Sequence, residues 1–189
     1  MAIVNLGEIA DIFVGVVPKR YLEEGNGNFK QLIVQGSMNY GENLSNLVSV
    51  EFSEKLNDKY LTKNGDILMK LTSPNDAIYI EEEGLVIGER IAIIRLLDEE
   101  FNYKFIAHLL NSSTIKKQLN RVIGSGVSPK VSIKDIKDLQ LDVPELDMQN
   151  KLALILDSID DRISIYNDLI EYDKKLKEGI LLEILEVTI

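Results

Sequence analysis

The sequence predicts an α+β protein: a mostly antiparallel-sheet head with short helices, followed by a long C-terminal helix that forms a coiled coil. Three observations predict it. Between residues 30 and 97, short runs rich in Val, Ile and Leu alternate with turn residues, the pattern of antiparallel strands. Between residues 101 and 123, apolar residues recur at helical spacing. From Asp147 to Glu186 no proline interrupts, and apolar residues recur at steps of 4, 3, 4, 3 and 4. At 189 residues the chain holds one domain of ordinary size plus an appendage, since domains centre on ~100–150 residues. The head is assigned to residues 1–143 and the helix to 147–186.

The elements follow in order. LGEIADIF is a short helix or a strand entry, ended by a turn at Gly15 and Pro18 that carries Lys19 and Arg20. The EEGNGN loop leads to two strands, KQLIVQ (30–35) and NLVSVEF (46–52), joined by polar GSMNYGENLS. From Lys63 the pattern reads as a meander: an Asn64-Gly65 turn, DILMKL, an SPND turn, AIYI, GLVI and RIAIIRLL. FNYKFIAHLLNSSTIKKQLNRVI is helical, with Phe105, Leu109, Ile115, Leu119 and Ile123 on one face. A break is expected at Asn111-Ser112-Ser113, where a serine can cap a second helix. GSGVSPK is a flexible loop. Ser132 three residues before Asp135 marks a capping box that opens a short helix. LQLDV is a strand, and Pro144 closes the head.

In the final helix, Leu152, Leu156, Ile159, Ile163, Tyr166 and Ile170 form an a/d seam. Continuing that register would bury Asp173 and Lys177, so the stripe shifts to Leu169, Leu176 and Ile180. A rod of this length cannot bury its own stripe, so a partner helix is expected.

Composition narrows the function. The net charge of −10 argues against nucleic acid, but its distribution does not. From Lys104 to Lys137 seven basic residues face one acid, 7 − 1 = +6, while acids gather at 81–83, at 98–100 and along the final helix. Ordinary solvated lysine faces are the competing explanation of that island. With no cysteine, no signal-peptide pattern at the start and no apolar run of membrane length, a cytoplasmic location is expected.

Catalytic patterns are missing. The single histidine, His108, lies in an apolar helical segment and reads as a core or surface residue. There is no GxSxG, no glycine-rich phosphate fingerprint and no methyltransferase cofactor loop. Pro74-Asn75-Asp76 followed by Glu81-Glu82-Glu83 bears a faint likeness to nuclease acids, and reads as surface acid. No metal or cofactor is expected. Gly124-Ser125-Gly126 could bring backbone amides to a phosphate, or could be a plain connector. Lys70-Leu-Thr-Ser-Pro-Asn-Asp opens a strand end into a loop of side chains able to read base edges.

LGEIADIFVGVVPKR, GDILMKL and GSGVSPKVSIKDIKDLQLDVPELDMQNKLALILDSIDDRI together resemble the specificity subunits of type I restriction–modification systems. Ser132, Asp135, Ile136, Pro144, Leu146, Gln149, Ile155, Leu156, Asp157, Ile159, Asp160 and Ile163 carry the resemblance most specifically. It implies a DNA target-recognition head on a long helix that also docks adenine-methylating subunits, catalysis being left to those methylation and restriction subunits. Such subunits contain two heads and two helices paired antiparallel; this chain has one of each. It is therefore expected to homodimerise and to read a bipartite inverted repeat. The expected partners are double-stranded DNA, a methyltransferase subunit and a restriction or translocase subunit. Candidate DNA contacts are Lys19, Arg20, Lys70, Thr72, Ser73, Asn75, Arg90, Lys116, Lys117, Arg121, Ser125 and Lys130. The competing readings are a non-DNA assembly scaffold with a dimerising stalk, favoured by the net acidity, and a metal-dependent nuclease.

Overall fold

A four-stranded antiparallel sheet forms the centre of the head, buried on both faces. The computed structural model describes residues 2–23, 25, 27–41, 44–122 and 130–186. The chain begins with β1 (Ala2–Asn5), a single helical turn α1 (Leu6–Ile9) and β2 (Ala10–Val14), so LGEIADIF is both helix and strand. Then come β3 (Asn28–Ile33), β4 (Val48–Phe52), β5 (Asp66–Lys70), β6 (Ala77–Ile80), β7 (Val86–Ile87) and β8 (Ile91–Leu96). Helices α2 (Tyr103–Asn111), α3 (Ser113–Val122) and α4 (Ile133–Lys137) follow, then β9 (Gln140–Val143) and α5 (Leu146–Glu186).

The central sheet runs β2-β8-β5-β6, every pair antiparallel. Strand periodicity divides its side chains between two cores. Ile67, Met69, Ala92 and Ile94 face one core with Ile106, Leu110, Ile115, Leu119 and Ile136 of the helices. Leu68, Ile91 and Ile93 face the other, against Ile33, Met38 and Ile87. Burial on both faces explains why RIAIIRLL is nearly all apolar rather than alternating. A small sheet, β4-β3-β7, supplies that second layer, and β1 pairs with β9.

The meander expectation is corrected in its pairing. Hairpin β5–β6 closes over the SPND turn as expected, but β8 pairs with β5, not with β7. Strand β7 leaves the central sheet and lies parallel to β3. Two glycines permit the crossing: a Cβ on Gly88 would sit 2.7 Å from the Ile33 carbonyl oxygen, and one on Gly15 would strike the Ile87 and Gly88 carbonyls. Gly15 thus serves close backbone approach rather than a turn.

Local signals hold at the helices. The chain breaks at Ser112, whose Oγ accepts from Ile115 N–H. Ser132 Oγ accepts from Asp135 N–H at 3.2 Å, and Asp135 Oδ2 accepts from Ser132 N–H at 2.9 Å. Helix α5 is 41 residues long, on the order of 60 Å. Its first turns pack on the head: Ala153 is buried, Leu152 lies against the helical core, and Gln149 is 2% exposed. The Gln149 amide donates to the Pro144 and Glu100 carbonyls and accepts from Asn102 N–H.

Candidate nucleic-acid interface

The alternation of strand directions in the central sheet gathers its connections into two ends. Val14 stands opposite Ala92, Lys70 opposite Ile91, and Met69 opposite Ala77. One end therefore carries the start of the segment after β2, the loop Lys70–Asp76, and Glu89-Arg90; beyond Lys19 and Arg20 the chain turns to Ser53 and Phe52 of the small sheet. The small sheet adds Gln35, because Ile33 lies beside Ile87 and its carbonyl accepts from Gly88 N–H.

At this end the backbone is tied into one surface. Leu71 N–H donates to the Arg90 carbonyl at 2.9 Å, and Val131 N–H to the Leu71 carbonyl at 2.9 Å. Thr72 and Lys130 form a bridge. Gln35 Nε2 donates to Thr72 Oγ1 at 2.9 Å and to the Arg90 carbonyl at 3.0 Å. Arg90 itself has φ 68°, a conformation uncommon outside glycine, held by those two bonds to its carbonyl. Among the expected contacts, Ser73, Arg90 and Lys130 are exposed on this surface; Lys19 and Arg20, and Lys117 and Arg121 on α3, are exposed as well.

Three other candidates face inward. Asn75 is 3% exposed and donates from Nδ2 to the Lys70 carbonyl. Lys70 pairs with Asp76 at 3.3 Å. Lys116 Nζ donates to the carbonyls of Pro74 at 2.8 Å and Asn75 at 2.6 Å, and burial holds its pKa below the usual lysine value against the pull of Asp76. These residues shape the loop that presents Ser73. Ser125, with the whole Gly124-Ser125-Gly126 segment, lies outside the described residues.

The other end of the sheet is acidic. It holds Glu81, Glu82, Glu83, Asp98, Glu99 and Glu100, all exposed. Asp76 and Glu81 lie at opposite ends of β6, so the nuclease-like acids do not converge. Here Asp66, 1% exposed, receives Arg95 Nε at 2.7 Å and Nη2 at 2.9 Å, and Arg95 also donates to the Leu61 carbonyl. Helix α5 starts at this end and crosses α2, where Asp157 Oδ1 meets His108 Nε2 at 2.7 Å. The seam residues then divide. Leu152 and Leu156 are partly buried, whereas Ile159, Ile163, Tyr166 and Ile170 are 37–59% exposed.

Two functional features escape sequence reasoning. Gln35 sits at a strand end with no distinguishing neighbour. The His108–Asp157 bond spans 49 residues; its only local sign is that Asp157 and Asp160, three apart, share one helix face.

Comparison with known proteins adds a family. The type I restriction modification DNA specificity domain matches residues 1–172. The type I restriction enzyme MjaVIII specificity subunit of Methanocaldococcus jannaschii is 26% identical over 95% of this chain and 44% of its own length. A second subunit from that organism, named as the putative MjaX specificity subunit, is 29% identical over 61% of this chain and 27% of its length. The chain thus spans less than half the length of the curated relatives it matches. Among solved structures, the HsdS subunit of Thermoanaerobacter tengcongensis superposes with a TM-score of 0.69 at 17% identity, covering 89% of this chain and 44% of that one. The S subunit of the type I system of M. genitalium gives 0.61 at 18% identity, over 94% and 44%. These likenesses establish the α+β fold with its long C-terminal helix.

Proposed function

The chain belongs to the type I restriction–modification DNA specificity family, and on that premise we propose that it reads one half of a bipartite DNA site for an adenine-methylating complex. The observation that carries this reading is the tying of Ser73, Arg90 and Lys130, all exposed, into one surface at one sheet end. Exposed cations hold phosphates and fix register, while Arg, Ser and Gln side chains read base edges. The head contributes recognition and leaves catalysis to a methylation subunit and to a restriction or translocase subunit.

Two copies act together. Beyond Asp160, helix α5 exposes Ile163, Tyr166, Leu169, Ile170, Leu176 and Ile180, a row that needs an apolar partner. A second copy lying antiparallel supplies one. It places identical heads in opposite senses, and so selects an inverted repeat. No described helix is long and apolar enough to cross a membrane, which accords with work on chromosomal DNA in the cytoplasm.

The test is selection from random duplex DNA at low salt, alone and with an adenine methyltransferase subunit added. An inverted repeat with one fixed spacer is expected to be enriched, with affinity falling steeply as salt rises. The net charge of −10 favours the scaffold reading; failure to enrich any site even with the methyltransferase subunit would decide for that reading.

A further inference from the structure

Helix α5 is held to the head in two different ways. Up to Ala153 it is held by apolar burial together with the buried Gln149 amide. From Asp157 onward the hydrogen bonds and ion pairs between helix and head gather around His108. The imidazole is 8% exposed. Its Nε2 lies 2.7 Å from Asp157 Oδ1, and its Nδ1 lies 3.2 Å from the Tyr40 hydroxyl and 3.6 Å from Asp160 Oδ2. A carboxylate can only accept, so Nε2 donates to Asp157, while the Tyr40 hydroxyl beside Nδ1 also bonds Asp160. The rings of Tyr40 and Tyr79 stand edge-on to the imidazole at 6.2 and 6.3 Å.

One turn earlier on α2, Lys104 braces the same contact. Its Nζ lies 2.9 Å from Glu81 Oε1 and 3.8 Å from Asp157 Oδ2, above the Tyr79 ring. Its hydrogen bond holds the Glu81 carboxyl below the usual range. These groups join four elements: the segment after β3, β6, α2 and α5. Beside them lies an open cleft of about 510 Å³, so apolar packing does not fix the helix at this level. The polar contacts stand where α5 leaves the head: from Ile165 to Leu182 every residue is exposed.

Position there gives leverage. Twenty-six residues separate Asp160 from Glu186, roughly 39 Å of helix. Tilting that arm by about 5° moves its far end by roughly 3.4 Å, the rise of one base pair. In the antiparallel pair proposed above, the partner's head rides at that far end. We propose that His108, through Asp157 and Asp160, is the positioning residue that fixes the angle between head and helix, and thereby the number of base pairs between half-sites. The spacing part of this inference rests on the DNA-reading dimer; the angular part does not.

Two measurements separate them. The chain has no cysteine, so Glu54→Cys with Lys177→Cys places one spin label on the head and one on the helix. Labelled protein is diluted in unlabelled protein, so that only distances within one chain are read. The parent protein is expected to give one narrow distance distribution. His108→Ala and, as a variant that leaves the α2 core untouched, Asp157→Ala are each expected to widen it at least twofold. His108→Gln, whose amide can replace the Nε2–H donor, is expected to restore it. An unchanged width in both alanine variants overturns the inference, and so does a glutamine variant as wide as alanine, because that would reduce His108 to a space filler. The second measurement presents the selected half-sites with spacers one or two base pairs longer or shorter. The parent is expected to prefer one spacer at least tenfold and the alanine variants less than threefold, with half-site preference unchanged. A preference equally sharp in the variants overturns the spacing claim. Should the parent bind no DNA, the DNA reading fails, and the label distances still decide whether His108 sets the angle.

Discussion

The two ends of the central sheet are built from the same four strands, yet they use their charge in opposite ways. At the acidic end, ionic and polar groups are spent on structure: Asp66 grips Arg95, Gln149 stitches α5 to Asn102 and Glu100, and Lys104 braces Glu81. At the other end the inward-facing groups, Lys70, Asn75 and Lys116, only shape a loop, and Arg90 and Lys130 stay exposed. A chain of net charge −10 can therefore still offer a cationic face, because the acid runs at 81–83 and 98–100 lie at the opposite end of the sheet. Anchorage occupies one end of the sheet, and the proposed recognition surface the other.

If stability resides at the acidic end and binding at the other, substitutions should separate the two properties. The largest effect is expected from Asp66→Ala, which leaves the Arg95 guanidinium partly buried without its partner. About 3–5 kcal/mol should be lost, read as a lower urea midpoint. Gln149→Ala strands the Asn102 N–H and the Glu100 and Pro144 carbonyls and should cost about 1–3 kcal/mol by the same measurement. Arg90→Ala and Arg20→Ala should move stability by less than about 0.5 kcal/mol. Each should nevertheless weaken DNA binding by about 1–3 kcal/mol if it reads a base, or lower the salt slope by about 1 if it holds a phosphate.

The smallest effect is a pH dependence at the stalk base. Desolvation first, then Asp160, pushes the Tyr40 hydroxyl up to about 12; desolvation and Asp157 do the same for Tyr79, against the opposing pull of Lys104. The unfolded phenols ionise near 10, so the folded state holds protons that the unfolded state releases. Stability from these groups is fully present below pH 10 and is lost between about 10 and 12. Thermal melts across that range should fall less steeply for the Tyr40→Phe, Tyr79→Phe double variant than for the parent.

What the sequence made legible was local. The break at Ser112, the Ser132–Asp135 capping box, the Asn64-Gly65 turn and the uninterrupted final helix each depend on residues a few positions apart, and each is present. Pairing was not legible: nothing in GLVI distinguishes a two-residue strand parallel to β3 from the next rung of a meander, because the deciding contact is Gly15 against Gly88. The site divided along the same line. Lys70, Asn75 and Lys116 have the chemistry of DNA contacts, but Lys70 and Asn75 turn to groups within their own loop, and Lys116 finds carbonyls 41 and 42 residues back in the chain. Gln35 and the His108–Asp157 bond were invisible for that reason.

Site-directed cross-linking compares the two ends most directly. Single cysteines introduced at Ser73 or Glu89, and separately at Glu82 or Glu99, are offered the selected DNA carrying thiol-reactive tethers on its phosphates. The Ser73 and Glu89 positions should capture DNA and the Glu82 and Glu99 positions should not. Capture at Glu82 or Glu99 equal to or greater than that at the cationic end would contradict the assignment of that end as the DNA-reading surface.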